Sequence, residues 1–374
     1  MIPMTIDTSE EKPVDDVEGL DNESAAPVNG YPIDSLMIRT DRRTVFDVCR
    51  RIDQDVYVLD PEFQRDFIWD ELKQSRLIES AMMRIPLPVF YLAEIADGKI
   101  VVVDGLQRLS TFRRFLAGKL RLKGLEYAAD MNGKIFAELP TTVKNRVEDT
   151  NLTLYLIDSK VPDQTKVDIF ERVNSGEPLT KQQMRNCLYL GDATRWLARM
   201  AKNEEFLSAT ANGLSHKTMR DRECINRFLA FTELGESSYT GNMDNFLRDV
   251  LNKLKKTDPD RPQYWHELSD RFLISMRTNV AIFGKNAFRK IKAGEEPRRS
   301  VINVALFDVF SVLMARPGAE NIANNADAVR KGLNELLEDP VFVDAITLST
   351  NSKRKVAYRF ECVKRMLSEV WNAL

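Results

Sequence analysis

The residues best suited to chemistry form one short segment, Asp104-Gly105-Leu106-Gln107-Arg108, which directly follows the apolar run 100–103. Gly105 lets the backbone turn tightly and approach a ligand closely. A strand, a glycine turn and a helix start present backbone N–H groups and a positive dipole end to an anion. We therefore predict a phosphate site, with Arg108 gripping phosphate oxygens and Asp104 holding Mg²⁺ or orienting water.

The alternative interpretation of this segment is a plain strand-to-helix turn with an exposed arginine. The sequence contains neither a GxxxxGK[ST] phosphate loop nor a GxGxxG dinucleotide fingerprint that would decide between the two.

Two further segments carry polar side chains of interest. Phe63–Trp69 places Gln64 and Arg65 among aromatic residues, where the alternative is a hydrophobic anchor with solvated charges. The segment 170–180 contains Asn174 in an Asn-Ser-Gly sequence. These polar groups could meet a base or a sugar, or they could form a simple helix-to-helix turn.

The order of the three segments is distinctive: Phe-Gln-Arg…Trp, then Val-Asp-Gly-x-Gln-Arg-Leu-Ser-Thr, then Phe-Glu-Arg-Val-Asn-Ser-Gly. Over roughly residues 35–190 the sequence resembles the N-terminal domain family of the GmrSD modification-dependent restriction enzymes. The resemblance implies a fold similar to the ParB/sulfiredoxin type, whose Gly-x-x-Arg element binds nucleotide phosphate and corresponds here to 105–108. It also implies nucleoside triphosphate hydrolysis, which is found in family members with an Asp-Gly-Gln-Gln-Arg motif.

By this resemblance, Asp104, Gln107 and Arg108 are the expected catalytic residues, with Asp104 as the metal ligand. The cofactors implied are Mg²⁺ and a nucleoside triphosphate whose base the sequence does not identify. Leu106 stands where the motif has its first glutamine, so we expect hydrolysis to be weakened while binding survives. The expected nucleotide-binding residues are Gln64, Arg65, Gly105, Ser110, Thr111 and Asn174.

The elements that position these residues follow from hydrophobic periodicity and stop signals. Beyond about Gly191 the pattern is helical nearly throughout. The fold class predicted is α+β: a disordered acidic tail (1–30), a small ParB/sulfiredoxin-like mixed α/β domain (31–190) and an all-helical domain (191–374). The expected helices of the first half are 42–52, one capped by Asp70 that runs to about 83, 106–116, 164–173 and one capped by Thr180. The expected strands are 57–59, 89–95, 100–103 and 152–157, with small strands and turns over 120–139.

Charge and cysteine content bear on the possible partners of the protein and on its cellular compartment. Residues 1–24 contain eight acids and one base, which leaves the rest of the chain at +5 within a net charge of −2. A mildly basic body permits nucleic-acid contact without requiring it. The scattered cysteines suit a reducing cytoplasm better than disulfides or zinc: they are Cys49, Cys187, Cys224 and Cys362. We expect neither a membrane-spanning helix nor a secretory signal.

A basic patch near the C-terminal end, Lys353, Arg354, Lys355 and Arg359, suits a phosphodiester backbone, although a solvated helix face is an equally good interpretation. The restriction relatives add a His-Asn-His nuclease, whereas this sequence has only His216 and His266, in no such spacing. We therefore expect the nuclease half to be absent and any cleavage to come from a separate partner. A homo-oligomer is also compatible with the sequence.

Three functions remain open from sequence alone. The first is a triphosphate-binding, slowly hydrolysing sensor or regulator in bacterial or phage DNA defence. The second is a DNA-binding or protein-interaction module that kept the scaffold and lost its chemistry. The third is a DNA nuclease acting through Asp104 without histidine. Leu106 favours the second function, and the intact Asp104, Gln107 and Arg108 favour the first.

Overall fold

The computed structural model describes residues 17–18, 38–59, 69–95, 98–162, 165–166, 169, 180–256, 262–290, 301–316 and 318–372. It is 64% helical, with one small mixed sheet near the N-terminus and a helical remainder. The chain divides into two compact units. The sheet unit is Ala25–Leu188, and the helical unit is Tyr189–Leu374 together with an N-terminal segment of which Val17–Glu18 is described.

The described strands are β1 (Val17–Glu18), β2 (Ile38–Thr44), β3 (Tyr57–Val58), β4 (Phe90–Glu94), β5 (Ile100–Asp104), β6 (Asn151–Ile157) and β7 (Ile302–Asn303). The described helices of the sheet unit are α1 (Val45–Asp53), α2 (Glu71–Met82), α3 (Leu106–Leu116), α4 (Thr141–Glu148) and α5 (Lys181–Leu188). Those of the helical unit are α6 (Asp192–Ala201), α7 (Glu204–Thr210), α8 (Arg220–Leu234), α9 (Met243–Lys256), α10 (Pro262–Phe283), α11 (Val304–Leu313), α12 (Ala326–Glu338), α13 (Pro340–Thr347) and α14 (Lys353–Asn372).

The sheet has the order β2-β6-β4-β5-β3 and mixes parallel and antiparallel pairs. β6 runs parallel to β4 and β5 parallel to β3, while β2/β6 and β4/β5 are antiparallel. The end of β5 lies beside the start of β4, since Asp104 pairs with Tyr91. The start of β6 lies at this same end, where Thr44 pairs with Asn151. One end of the sheet therefore gathers the turn before α3 and the loops that lead into β4 and β6.

The core of the sheet unit forms where apolar faces of α1, α2 and α3 meet the sheet. Ile78, Phe90, Leu109 and Phe112 are fully buried in one cluster. α1 and α2 begin at side-chain caps, Thr44 and Asp70, which satisfy otherwise unpaired backbone donors. Asp70 accepts from Lys73 N at 2.7 Å at the start of α2, as its position in the sequence predicts.

Charge pairing also fixes α1. The Asp47 carboxylate accepts hydrogen bonds from Arg50 and Arg43, each at 2.7 Å, and from Arg51 at 3.2 Å. The hydrogen bond from Arg50 is the main reason that the pKa of Asp47 lies well below its usual range, with Arg43 and Arg51 adding to the effect against partial burial.

The segment 120–139, all of it described, contains no strand, so the small strands expected there are wrong. Two short 3₁₀ turns occur instead, and Gly124 and Gly133 adopt positive φ. The buried Glu79 carboxylate of α2 accepts from the backbone N–H groups of Tyr127 and Ala128 at 2.7 and 2.9 Å. The loop thus satisfies part of its backbone through a side chain, in addition to the hydrogen bonds between Leu122 and the 133–134 backbone.

A buried charge cluster joins three helices of the helical unit. Asp308 of α11 accepts a bidentate pair from Arg227 of α8 at 2.7 and 2.6 Å, and a further bond from Arg359 of α14 at 2.7 Å. The exposed fraction of these side chains is at most 1%. Burial lowers the pKa of Arg359 to about 10, and Asp308 opposes that shift. The cluster specifies how the three helices pack.

The helical unit also contains a parallel two-stranded pairing of β1 with β7, so it is not entirely helical. The Glu18 carboxylate accepts from Lys290 and, at 3.2 Å, from Asn303. The expectation of a disordered tail over 1–30 is therefore wrong at Val17 and Glu18, because β1 pairs with β7 and Glu18 pairs with Lys290. The remaining residues of that segment lie outside the described part of the chain.

Candidate functional site

The turn between β5 and α3 requires a glycine. Gly105 has φ +97°, in the left-handed region, and a Cβ built there would lie 2.2 Å from Cδ1 of Phe90. It is the N-cap of α3 and offers no side-chain cap to the helix. The first backbone N–H groups of α3 therefore have no partner within the helix, and they sit at the positive end of its dipole. This is the strand, glycine turn and helix start that the sequence predicts.

Arg108 occupies a different position from the exposed one that the sequence predicts. Its guanidinium donates to the carbonyls of Pro88 at 2.5 Å and Val89 at 3.1 Å, and to Asp104 Oδ2 at 2.9 Å. It also stacks on the Phe90 ring, 4.2 Å from the centroid. The side chain is only 12% exposed. Burial lowers the pKa of the guanidinium, and Asp104 opposes that shift. Arg108 therefore links the Gly105 turn to the residues that precede β4.

Asp104 and Gln107 keep unused oxygens. One carboxylate oxygen of Asp104, Oδ2, accepts from Arg108, and the side chain is 31% exposed. The amide oxygen Oε1 of Gln107 is buried without a hydrogen-bond partner among the described residues. A buried acceptor of this kind is costly unless a partner arrives. A donor from a ligand bound at this turn would satisfy that oxygen.

The other predicted nucleotide contacts fare differently. Thr111 is fully buried and its hydroxyl donates to the Gln107 carbonyl at 2.7 Å, and Ser110 is only 9% exposed. Both lie on the packed side of α3, because the fifth and sixth residues of the helix face the core, so this structure gives a nucleotide no access to them. Gln64, Arg65 and Asn174 lie outside the described residues.

The basic patch divides in the structure. Lys353 and Arg354 are exposed at the start of α14. Lys355 instead bonds the Leu348 carbonyl at 2.6 Å and pairs with Asp344 at 2.8 Å. Arg359 is fully buried in the charge cluster with Asp308, which corrects its assignment to nucleic-acid contact. The helical period explains the split: residue 359 faces the core, and 353 and 354 face solvent.

A sequence match covers most of the sheet unit. Residues 45–190 match the family model of the GmrSD restriction endonuclease, N-terminal domain. This part of the chain is therefore similar to a GmrSD N-terminal domain. The resemblance read from the three motifs is thereby confirmed, and it relates this part of the chain to DNA restriction and defence. No curated protein matched the chain. Within the matched residues, the strand-turn-helix at Asp104–Arg108 is the predicted motif, and the helical unit lies outside the match except for Tyr189 and Leu190.

Two features escaped the sequence reasoning. In the sheet unit, Arg84 and Arg146 line a groove of about 710 Å³. The helix stop at Ile85-Pro86 was the available signal, but the arginine before it was not singled out. In the helical unit, His216 Nδ1 lies 2.6 Å from Asp221 Oδ2 in the wall of a cavity of about 410 Å³. His216 follows no recognised motif, so the sequence offered no signal for this pair.

The described residues hold no group of three or more His, Cys, Asp or Glu side chains that could bind a metal ion. Within the same described part of the chain, no helix has the length and apolar content needed to cross a membrane.

Proposed function

We propose that this chain is a nucleoside-triphosphate-binding sensor or regulator of the GmrSD N-terminal type, which acts in restriction-related defence and relies on a separate nuclease partner for any DNA cleavage. The observation that carries the proposal is the Gly105 turn within the family match. It combines unpartnered helix N–H groups with the buried, unpartnered amide oxygen of Gln107.

In this proposal the backbone and Gln107 contact the ligand, whereas Arg108 positions them. The N–H groups that open α3 receive a phosphate oxygen, as helix N-termini do for anions. Arg108 holds Asp104 and the Pro88–Val89 carbonyls in one arrangement. Leu106 stands between Gly105 and Gln107 in place of the glutamine of the motif, so we expect the chain to bind a triphosphate but to hydrolyse it weakly.

Magnesium fits this site as an ion that is held mainly by the phosphates. Mg²⁺ is commonly bound by one or two carboxylates together with substrate phosphates and water. Asp104 offers one carboxylate oxygen beside the one that Arg108 uses, and Gln107 offers an amide oxygen. Bound there, the ion would neutralise phosphate charge.

We also propose that the sheet unit has the ParB/sulfiredoxin type of fold. Its support is a five-stranded mixed sheet in which the Gly-x-x-Arg element, 105–108, directly follows a strand and opens a helix. The boundaries at 31–190 and 191–374 stay predictions, as do the cytoplasmic location and a homo-oligomeric state.

A thermal-shift titration of the full chain with ATP, GTP, CTP and UTP, each with and without Mg²⁺, tests the function. A ligand that binds the native state raises its stability by about 2.7 kcal/mol at a hundred times its Kd, so at least one nucleotide should raise the Tm. No shift with any of the four would refute triphosphate binding.

Gln107→Leu sharpens the test. The variant removes an acceptor that has no partner, so stability should be unchanged or higher, because a buried unsatisfied group is lost. Triphosphate affinity should fall about tenfold, the effect of one lost hydrogen bond at the site. Gln54→Leu, at the exposed end of α1, is the matched control and should bind like wild type.

A second function is favoured by one observation. Because Arg108 is engaged by the protein itself, the turn could also be a scaffold that has lost its chemistry, as in a DNA-binding or interaction module. In that case Gln107→Leu and wild type would be equally unresponsive to all four nucleotides.

A further inference from the structure

We propose that a groove between the end of α2 and α4 binds the phosphodiester backbone of a nucleic acid, with Arg84 and Arg146 as its phosphate contacts. The groove, of about 710 Å³, lies wholly within the sheet unit. None of the residues that line the groove belongs to the Gly105 turn. Its lining residues are Arg84, Ile85, Pro86, Thr142, Asn145, Arg146, Asp149, Thr150 and Asn151.

The backbone at Arg84 gives the first argument. Arg84 has φ +59°, in the left-handed region. Its N–H donates to the Ala81 carbonyl at 3.0 Å, and the N–H of Ile85 donates to the Ser80 carbonyl at 2.9 Å. These two bonds form a Schellman motif that ends α2, and its left-handed position is usually glycine. A residue with a side chain is disfavoured there.

The side chain of Arg84 makes no polar contact within the described part of the chain that would offset the strain of its backbone. The guanidinium of Arg84 is exposed and has no hydrogen-bond or ion-pair partner among the described residues. A non-glycine residue in a strained conformation, with a side chain that the fold does not use, points to a role outside folding.

Arg146 gives the second, independent argument. It lies near the end of α4, is exposed, and its guanidinium likewise has no partner among the residues that the structure describes. Two unpaired guanidinium groups therefore line one groove. Guanidinium groups match phosphate oxygens in geometry and charge.

The other lining residues favour the phosphodiester backbone of a nucleic acid over a free nucleotide. Thr142, Asn145 and Asn151 are hydroxyl and amide side chains of the kind that bond phosphate and sugar oxygens. Among the described residues that line the groove there is no aromatic ring on which a base could stack, and the two apolar ones are Ile85 and Pro86. Most lining side chains are exposed, which suits a long ligand that passes over the surface.

Asp149 is the one acid among the described residues of the lining. It sets the groove at a net charge of +1 rather than +2 and should weaken phosphate binding. This acid supplies a variant of opposite sign: Asp149→Asn should raise the affinity that the arginine variants lower.

The test is a fluorescence-anisotropy titration of the full chain with a short duplex DNA of arbitrary sequence, at several salt concentrations. Each phosphate contact contributes about 0.9 to the slope of log affinity against log salt. Arg84→Gly and Arg146→Ala should each reduce that slope by about one and weaken binding about fivefold near 0.15 M salt. A second duplex of unrelated sequence should give the same values.

The variants and controls separate this groove from misfolding and from the proposed nucleotide site. Arg84→Gly places glycine where the backbone favours it, so its Tm should match or exceed wild type while DNA affinity falls. Arg76→Ala removes an exposed arginine that pairs with Glu126 in the same unit and should leave the salt slope unchanged. The triphosphate response of Arg84→Gly should equal that of wild type, and Gln107→Leu should bind DNA normally.

Three results would overturn the proposal. The first is wild-type DNA affinity and salt slope in both arginine variants. The second is weaker binding in Asp149→Asn. The third is a competition experiment in which both arginine variants lose affinity for a free nucleotide but keep the wild-type affinity for DNA.

Discussion

Arg108→Ala should cost the sheet unit stability, contrary to what an exposed arginine would predict. The substitution removes three hydrogen bonds, to two carbonyls and to Asp104, and a stack on Phe90. A hydrogen bond that involves a charged group contributes about 1.5–3 kcal/mol, and a stacked cation about 0.5–2 kcal/mol. Their sum would exceed the roughly 4–5 kcal/mol that single substitutions rarely pass. Because the bonds act as one unit and water can replace part of them, we expect about 2–4 kcal/mol.

Hydrogen exchange followed by mass spectrometry is the suitable measurement, since the chain has two compact units and a single melting curve mixes them. Amides of β4, β5 and the start of α3 should exchange faster in Arg108→Ala. Arg108→Lys keeps the charge, but one ammonium cannot span the same acceptors, so its loss should be intermediate. Arg76→Ala, whose arginine is exposed, should change stability by less than about 0.5 kcal/mol.

A particular outcome would refute this reasoning. If Arg108→Ala exchanges like wild type but no longer binds a triphosphate that wild type binds, then the guanidinium grips the ligand and the internal bonds are incidental. If stability falls and residual binding persists at high nucleotide concentration, Arg108 is a positioning residue.

Three further predictions follow from the fold. Asp308→Asn should destabilise the helical unit by about 3–5 kcal/mol in a urea titration, because Arg227 and Arg359 would stay buried with too little negative charge; a loss below 1 kcal/mol would contradict this. Gly105→Ala should cost about 2–4 kcal/mol through positive φ and the ring packed beneath it, visible as a lower Tm. The folded-state pKa of Asp47 is depressed, so its contribution is present above the unfolded pKa of about 3.9 and is lost as pH falls below it; Asp47→Asn should therefore lose stability at neutral pH and show a weaker acid dependence.

The elements with strong local signals were predictable from the sequence. The bounds of α3 match the predicted helix 106–116, and α8 falls in the region beyond Gly191 that the pattern predicts to be helical. In α3 the glycine at 105 sets the start, and in α8 Gly235 follows the last turn. Local breakers and helical periodicity carry enough information here, because both act through neighbouring residues.

Other elements gave no such signal. β2 reads Ile-Arg-Thr-Asp-Arg-Arg-Thr and was missed, because an edge strand with polar side chains shows no apolar alternation. The predicted helix 42–52 took in its last three residues, whereas α1 begins at Val45. Pairing with β6 makes this segment a strand, and that partner begins more than a hundred residues further along the chain.

The burial of Arg359 was unpredictable for the same physical reason. Its partner Asp308 lies 51 residues away in the sequence, on another helix. Composition identifies 353–359 as basic, but only the fold decides which cations face solvent and which neutralise a buried carboxylate. A basic run is therefore weak evidence for nucleic-acid binding until the partner of each cation is known.

Positions 105 and 84 of the sheet unit both have a left-handed backbone, but only the residue at 105 is the one that the backbone conformation favours. At 105 the chain has glycine, as the backbone and the ring of Phe90 both require, so the residue is explained by folding alone. At 84 the same backbone region holds an arginine that no described partner uses. Because glycine would fold at least as well at 84, stability gives no reason for the arginine. Positions at which a sequence departs from its best local choice without a compensating contact are the ones expected at functional surfaces. By this criterion, the groove at Arg84 is the stronger indication of external contact, and Arg108, once the obvious ligand residue, belongs with the framework that supports the turn.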